Sequence, residues 1–374
     1  MRALNRAVAV LVVVPASLGL EMRDLMNRLR CVRTLPCLVA IIAALAGRAP
    51  SVAVAGTELS WVEATSQALW SARWSPLGLV KDNSIFVMGG CHGAGPFIPN
   101  NEVWSSPDGH NWTRVASSAG WTPRFHHMGA VFNNNFWVMG GVTSSTYVSD
   151  VWYSANGASW TKATNSAAWG NRGGGRCLVF NGEMWVLGGV QLGVGQMSDV
   201  WHSANGTAWT RATNSAPWGP RSVFGALVYG GQMWVLGGSY LESPPSPRPS
   251  NDVWSSTNGA NWTRVTATAP WPARFGLAVA VLQDRMWVLS GSTDILGTTM
   301  LKDCWYSSDG LNWTQANSTA PWPARGNAVA VACQDALWIM GGARSFSQDQ
   351  CLNDVWRTQF SPLPRTGVKI WRQY

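Results

Sequence analysis

The stretch WGNRGGGRCLVFNGEMWVLGG, residues 169–189, and the SDVWHSANGTAW that follows it at 198–209 decide the fold. Together they contain an Arg-led run, an apolar run ending at Gly188-Gly189, a run around Trp201, an Asn205-Gly206 pair and a last Trp. Asn-Gly between apolar runs predicts a type I′ hairpin, because both central residues of that turn need positive φ. The stretch therefore predicts a unit of four antiparallel strands.

This unit recurs six times with fixed internal spacing. Each copy opens with a tryptophan, and an aromatic residue follows 16 positions later. A third strand of the Asp-Val-Trp type comes next, and in the first five copies one more Trp follows it after eight residues. The opening tryptophans are Trp70, Trp121, Trp169, Trp218, Trp271 and Trp322. A repeat of 48 to 53 residues has the length of a four-stranded propeller blade, which buries its faces only against neighbours.

The sixth copy lacks its closing tryptophan, because a proline stands at position 364. Trp61 precedes Trp70 by nine residues, the distance that separates every other closing Trp from the next opening one. The spacing predicts that the N-terminal segment supplies the outermost strand of the last blade. The predicted fold is an all-β, six-bladed propeller with four antiparallel strands per blade and no open sheet edge.

The chain resembles the kelch-repeat propellers, a family that includes the central domain of galactose oxidase. The resemblance covers about residues 57–359 and rests on the Arg-led first strand, the Gly-Gly after the second, the Asp-Val-Trp third strand and the Trp of the fourth. It implies the kelch type of propeller. It implies no single activity, because propellers host many unrelated functions.

Residues 1–55 do not share the repeat and contain seven arginines against two acids. The basic cluster, the apolar run 35–46 and Ala53-Val54-Ala55 predict a cleaved secretory signal. The alternatives are an organelle transit peptide, an uncleaved anchor, or a start at Met22 instead of Met1. The predicted domains are this leader, a propeller at 56–360 and a basic tail at 361–374. We expect a monomer in the secretory lumen or outside the cell, with no membrane attachment after cleavage.

The net charge of +8 comes from the two ends of the chain. Leader and tail together hold ten of the 27 basic residues and two of the 19 acidic ones, which leaves 17 of each in the propeller. The run from Arg172 to Arg176 looks like an RNA-binding RGG element, but it stands where every blade begins its first strand. No nucleic-acid partner is therefore predicted.

One face of the ring is predicted to bind the ligand. Antiparallel order places the loops between second and third strands, together with the links between blades, on one face, here called the loop face. The Asp/Asn-Gly turns lie on the opposite face, here called the turn face. Spacing varies only in the loops between second and third strands, and variable loops on a rigid scaffold are where binding usually resides.

Six arginines open the first strands and are predicted to encircle the axial mouth on the loop face. As a cationic ring they could bind an acidic peptide or an anionic sugar, because guanidinium groups pair bidentately with carboxylates. Alternatively, each arginine bonds carbonyls or the Asp of a neighbouring blade and locks the ring. The six are Arg73, Arg124, Arg172, Arg221, Arg274 and Arg325.

Residues found in one blade only are further candidates for ligand binding. His92 and Phe97 stand in the blade 1 loop, and Tyr240, Glu242 and Arg248 stand in the Pro/Ser-rich loop of blade 4. Proline-rich loops keep a preformed shape without ladder hydrogen bonds, which suits a contact surface. A tolerated insertion has the same composition, so both interpretations stay open.

Catalytic chemistry has little support in the sequence. Copper radical oxidases of similar fold use Tyr and His ligands, two of them adjacent in the chain, whereas none of the five histidines here adjoins a tyrosine. Most acids belong to the repeated Asp-Val-Trp motif, so no acid pair for glycoside hydrolysis stands apart. We predict a non-catalytic module without a cofactor that binds protein or carbohydrate. The alternative is an extracellular carbohydrate-active enzyme, an oxidase or a sialidase-like hydrolase.

Two predicted modifications depend on secretion. Cys91 and Cys351 fall in the second-to-third loops of blades 1 and 6, which are neighbours in a closed ring, and a disulfide between them would staple the seam. Five sequons offer N-glycosylation sites. They are at Asn111, Asn205, Asn261, Asn312 and Asn317.

Overall fold

The computed structural model describes residues 58–361, except for 94–96, 241–247, 295–296 and 347–349. The predicted leader, nearly all of the basic tail and Glu242 lie outside the described residues. All helices and strands assigned in the described residues are of one kind, the β-strand, and no helix is found there. Within these ranges there is no helix long and apolar enough to cross a membrane.

The chain enters the ring with β1 and then builds its first three blades. The first strand is β1 (Glu58–Thr65). Blade 1 contains β2 (Leu77–Lys81), β3 (Ser84–Met88), the small hairpin of β4 (Cys91–His92) and β5 (Ile98–Pro99), β6 (Val103–Ser106) and β7 (Thr113–Ala116). Blade 2 contains β8 (Met128–Phe132), β9 (Asn135–Val142), β10 (Tyr147–Ser154) and β11 (Thr161–Thr164). Blade 3 contains β12 (Arg172–Gly173), β13 (Arg176–Phe180), β14 (Glu183–Gln191), β15 (Gly195–Ser203) and β16 (Thr210–Thr213).

The last three blades follow the same plan. Blade 4 contains β17 (Arg221–Ser222), β18 (Gly225–Tyr229), β19 (Gln232–Tyr240), β20 (Arg248–Ser256) and β21 (Thr263–Thr266). Blade 5 contains β22 (Ala278–Val281), β23 (Met286–Leu289), β24 (Cys304–Ser307) and β25 (Thr314–Asn317). Blade 6 contains β26 (Val329–Cys333), β27 (Ala336–Met340) and β28 (Val355–Ser361).

The blades close into a ring. Each is an antiparallel sheet in which the innermost, second, third and outermost strands pair in that order. In blades 3 and 4 two short strands, β12 and β13 or β17 and β18, share the innermost position, and in blade 6 the outermost strand comes from the start of the chain. The innermost strands contact one another in the cyclic order β2, β8, β13, β18, β22, β26 and back to β2. This arrangement confirms the predicted six-bladed propeller.

Strand β1 completes blade 6, as the spacing of Trp61 predicted. It pairs antiparallel with β28, from Glu58 opposite Ser361 to Thr65 opposite Val355. Trp61 packs edge-to-face on Trp322 with ring centroids 5.8 Å apart and planes at 83°. Opening and closing tryptophans of the other blades meet at 5.8–6.0 Å and 79–88°. The N-terminal strand therefore takes the place of the missing fourth strand.

The prediction of a type I′ turn at Asn205-Gly206 is wrong, because the turns with two consecutive positive φ values lie elsewhere in each blade. In the turns between third and fourth strands only the glycine has positive φ, as at Gly206 with 75°. The side-chain oxygen of Asn205 instead accepts hydrogen bonds from the backbone N–H groups of Thr207 and Ala208, which makes an Asx turn. Two consecutive positive φ values occur in the turns between first and second strands, such as Asn181-Gly182 at 49° and 75°.

Aromatic packing between blades forms the core. The six opening tryptophans are fully buried, and each hydrophobic cluster mixes side chains of adjacent blades. A Cβ on the turn glycine Gly206 of blade 3 would overlap the ring of Trp137 in blade 2. On the innermost strands, a Cβ on Gly225 would come within 2.6 Å of Val279 in the next blade, so small residues allow the strands to converge.

Candidate functional site

Each blade is held together by a buried Arg-acid-Trp cluster. In blade 2 the Nη1 and Nη2 atoms of Arg124 donate to the two carboxylate oxygens of Asp150 at 2.7 and 3.0 Å, and Nη1 also donates to the Gly140 carbonyl at 3.0 Å. The indole N–H of Trp152 donates to the same carboxylate at 2.7 Å. The guanidinium also lies 5.8 Å from the ring centroid of Trp121. These contacts explain why Arg, Gly-Gly, Asp-Val-Trp and the opening Trp recur together.

The six predicted arginines, here called the lock arginines, all occupy this position. Their side chains are 0–2% exposed, and their partners are the acids of their own blades. The prediction that an arginine bonds the Asp of a neighbouring blade is therefore wrong. In blade 1 the acid is Glu102, which reaches only one guanidinium nitrogen of Arg73, and Asn100 Oδ1 accepts from the other at 3.0 Å.

The backbone of the lock arginines joins neighbouring blades. The N–H of Arg124 donates to the carbonyl of Asn100 in blade 1, and the Arg124 carbonyl accepts from the N–H of Gly90 in blade 1. Blades 1, 5 and 6 repeat both bonds with the blades that precede them. The inner strands of the six blades surround a cavity on the ring axis, and none of the described residues that line it is a lock arginine. This geometry favours the locking role over the cationic ring.

The pKa values of the cluster acids Glu102, Asp150 and Asp252 are lowered, which favours their ionised forms. Burial alone would raise the pKa of Asp150, but hydrogen bonds from Arg124 and Trp152 and the guanidinium charge outweigh it and lower the pKa below its usual range. Asp252 of blade 4 has a lowered pKa for the same reasons, with Arg221 as its cation. The clusters are thus internal ion pairs with every carboxylate committed.

A ring of six residues narrows the mouth of the axis on the loop face. Each stands two positions after a lock arginine and has φ between 47° and 68°. In five cases the backbone N–H donates to the equivalent carbonyl of an adjacent blade at 2.7–2.9 Å. At the sixth junction Ser75 Oγ and His126 Nδ1 are 2.9 Å apart. The six residues, here called the axial belt, are Ser75, His126, Gly174, Val223, Gly276 and Asn327.

An aromatic arc lies outside the axial belt and spans four blades. Phe275 of blade 5 contacts Phe346 of blade 6, which contacts Trp74 of blade 1, and Trp74 contacts Phe125 of blade 2, with ring centroids 5.0–6.1 Å apart. Phe97 packs on both Trp74 and Phe125 and is 47% exposed. Of these five, only Phe97 was among the residues predicted to bind a ligand, although three of the others directly follow a lock arginine.

Inside the axial belt the inner strands surround an axial cavity of about 260 Å³. Its wall is mainly small and apolar, but Ser75, His126 and Asn327 line it near the axial belt, and Arg176 reaches it from blade 3. Arg176 is the only charged side chain among the described lining residues, leaving the histidines aside. In the sequence, Arg176 stands out only as the end of the run that looks like an RGG element.

Two adjacent histidines border the axial cavity and are neutral. Burial, and second the nearby charge of Arg176, lower the pKa of His126 to about 3. For His127 the causes are burial and then Arg124, again to about 3. Both ring nitrogens of His127 lack a hydrogen-bond partner in the described part of the chain, and the ring packs on Trp121. His127 therefore serves packing.

The blade-specific candidates do not converge. His92 lies half-buried in β4, which pairs with β5 beside the exposed Phe97. Tyr240 covers Gly219 and lies 5.6 Å from the guanidinium of Arg221 in blade 4. Arg248 is exposed where β20 begins, opposite Tyr240. The structure therefore brings together Phe97 and the aromatic arc, and leaves the blade 4 candidates on another sector of the loop face.

The modification candidates lie at the seam and on the turn face. Cys351 Sγ is 4.0 Å from the carbonyl oxygen of Cys91, so the two predicted partners adjoin between blades 6 and 1, and the disulfide itself stays a prediction. Four of the five sequon asparagines are exposed on the turn face, whereas Asn317 is half-buried at the end of β25.

Groups of three His, Cys, Asp or Glu side chains that could hold a metal ion are absent from the described ranges. The described acids of the repeat are committed to the buried clusters, and no described acid lines the axial cavity. The arrangement provides an apolar rim and a polar, positively charged centre. Comparison with family models and with curated proteins found no match to this chain.

Proposed function

We propose that this protein is a kelch-type propeller that acts as a non-catalytic binding module and takes a protein or glycan ligand on the loop face. Delivery through the secretory route is part of the proposal and is supported by the leader and the sequons in the sequence. The rigid scaffold supports the role, because every blade is closed by a buried ion-pair cluster and the ring is closed by β1.

The distribution of exposed apolar side chains is the observation that carries the proposal. Five of the six large apolar residues that are exposed in the described part belong to the loop face, and Leu311 alone belongs to the turn face. The five are Leu69, Phe97, Ile98, Leu192 and Val194, which are 47–74% exposed. Apolar tips collected on one face indicate an interaction surface.

The chemistry of these tips favours a protein ligand over a glycan. Sugars stack on exposed aromatic faces, and Phe97 is the only aromatic residue among the six. Aliphatic tips such as Leu192 and Val194 on the blade 3 loop instead suit the apolar centre of a protein interface. The aromatic arc behind Phe97 gives that residue a rigid backing, which favours it as an anchor.

The proposal is tested with the double variant Phe97→Ser/Ile98→Ser and the control variant Leu311→Ser. Full-length protein and both variants are compared on a glycan array and in affinity capture from extracellular fluid, with captured proteins identified by mass spectrometry. We expect the loop-face variant to lose most of the captured ligand and Leu311→Ser to retain it, while the melting temperatures of both stay close to the original.

Equal capture by the two variants would refute the loop face as the binding surface. Binding that occurs only on the glycan array, and that the variant Phe97→Ser/Ile98→Ser loses, would show that the ligand is a glycan and not a protein. A mass decrease after glycosidase treatment of the expressed protein tests the proposed secretory route separately.

A further inference from the structure

We propose that the axial cavity is a binding site for a small oxyanion, held by the guanidinium of Arg176. The site is distinct from the loop-face surface proposed above and does not depend on it. Its elements are a half-buried cation without an acidic partner among the described residues, a cavity of about 260 Å³ and polar side chains at one end of that cavity.

Arg176 breaks the rule of the repeat. It stands four positions after a lock arginine, where the other five blades have apolar side chains or glycine. Those equivalents are Leu77, Met128, Gly225, Ala278 and Val329. The blade packing therefore does not require a charge at this position, and the role of the guanidinium must come from what it faces.

The charge of Arg176 is not neutralised by the described protein. The Nη1 atom donates to the carbonyl of Gly175 at 3.0 Å, and the guanidinium lies 5.8 Å from the ring centroid of Phe224. Among the described residues it has no carboxylate within ion-pair distance, in contrast to all six lock arginines. Partial burial of a cation without a counter-charge costs free energy, and an anion in the cavity would offset that cost.

The cation persists at neutral pH. Burial lowers the pKa of Arg176 only to about 10, so the guanidinium stays protonated in any physiological compartment. Only one of its five N–H donors has an acceptor among the described contacts, which leaves a free edge for bidentate recognition. This geometry fits a carboxylate, sulfate or phosphate oxygen pair better than a halide.

The polar end of the cavity completes the site. Ser75, His126 and Asn327 line it together with Arg176. Ser75 Oγ and His126 Nδ1 are joined by a hydrogen bond of 2.9 Å. The positions of both side chains are therefore fixed before any ligand binds. Small wall residues, among them Gly175, Ala226 and Ala278, leave the volume that an oxyanion needs.

The test measures binding of sulfate, acetate and a capped peptide with a single Glu by calorimetry and by thermal shift, at constant ionic strength set with sodium chloride. The protein is used full-length, alongside Arg176→Met and the control Arg211→Met, an exposed arginine on β16 of the same blade. Arg176→Met introduces the residue that blade 2 has at this position, so we expect it to fold.

We expect saturable stabilisation of the original protein and of Arg211→Met, and about tenfold or more weaker binding by Arg176→Met, because charge-assisted hydrogen bonds are lost. Binding of sulfate or acetate would identify a free anion as the ligand, and binding of the peptide alone an acidic side chain of a larger one. Absence of saturable binding by all three probes, or equal binding by Arg176→Met, would overturn the proposal. If Arg176→Met fails to fold, Arg176→Lys replaces it, with weaker but measurable binding expected.

Discussion

Single residues explain why this repeat is so uniform. A lock arginine such as Arg124 is tolerated in the core because its N–H groups donate to a carboxylate and a glycine carbonyl, and its guanidinium lies near the ring of the opening tryptophan. Removing one partner of such a cluster leaves a buried, uncompensated charge, whereas removing both does not. The clusters are therefore best understood as structural units and tested as pairs.

For Arg274→Met we expect a loss of about 3–5 kcal/mol in the free energy of unfolding, because the carboxylate of Asp303 loses its cation. The double variant Arg274→Met/Asp303→Leu should recover part of that loss. Urea unfolding measures both, with Arg264→Met on the exposed side of β21 as a control that changes stability by under about 1 kcal/mol. A double variant as unstable as the single one would contradict the pairing argument.

His127 makes the stability depend on pH. In the folded protein its pKa is lowered to about 3, while an unfolded histidine titrates near pH 6.5. Below pH 6.5 the unfolded state therefore binds a proton that the folded state does not, and stability falls as the pH falls towards 3. Between pH 7 and pH 5 we expect this residue to account for about 2 kcal/mol.

The variant His127→Leu tests this contribution. Blade 5 has Leu277 at the equivalent position, and the lost imidazole has no hydrogen bond to lose in the described part of the chain. We expect unchanged or higher stability at pH 7 and a shallower decline between pH 6.5 and about 5.5, above the range where the carboxylates titrate.

At the scale of elements, the turns determine how blades meet. Gly206 and Gly182 both have φ of 75°, so an alanine at either adopts an unfavourable left-handed conformation that costs about 1–2 kcal/mol. Only the Cβ at Gly206 would also overlap Trp137 of the neighbouring blade, since nothing lies within 4 Å of the one at Gly182. The pair therefore separates backbone strain from inter-blade packing.

We expect Gly206→Ala to lower the free energy of unfolding by at least about 1–3 kcal/mol more than Gly182→Ala, because overpacking forces the Trp137 ring or the turn to move. Urea unfolding followed by tryptophan fluorescence measures the difference. Equal losses in the two variants would mean that the turns do not contribute to packing between blades.

Elements marked by a motif that recurs in every blade could be predicted from the sequence. Features that depend on which residues meet in the folded ring could not. The spacing of Trp61 from Trp70 was enough to predict β1 in blade 6, because nine residues fit one link only. The acid partner of each lock arginine could not be placed, since every blade carries an equivalent acid and the sequence does not show which blade's acid faces the arginine. Asn205-Gly206 was misread because its side chain, and not its φ, makes the turn. Arg176 was overlooked because cavities have no sequence pattern.

At the scale of the whole molecule, stability depends on the closure of blade 6. Trp61 and Trp209 are 8% and 9% exposed, and each packs edge-to-face on the opening tryptophan of its blade. We expect Trp61→Ala and Trp209→Ala each to cost about 3–5 kcal/mol, as for other buried aromatic residues. Urea unfolding compares them, and a loss below about 1 kcal/mol for Trp61→Ala alone would show that the closure is dispensable.

The seam between blades 6 and 1 is also the place of the predicted disulfide. The 4.0 Å approach of Cys351 Sγ to the Cys91 carbonyl shows that the two segments adjoin there. In secreted material we expect peptide mapping without reduction to recover these two residues as one cross-linked peptide. Recovery of both as thiols would contradict this expectation.

The pairing of β1 with β28 has a consequence for synthesis. Residues opposite each other in this pair are about 300 positions apart, so the first strand leaves the ribosome long before its partner is made. At roughly 5–20 residues per second, the delay is about 15 to 60 s. During this time an aromatic strand has no neighbour, which makes the nascent protein a natural client for chaperones until translation ends.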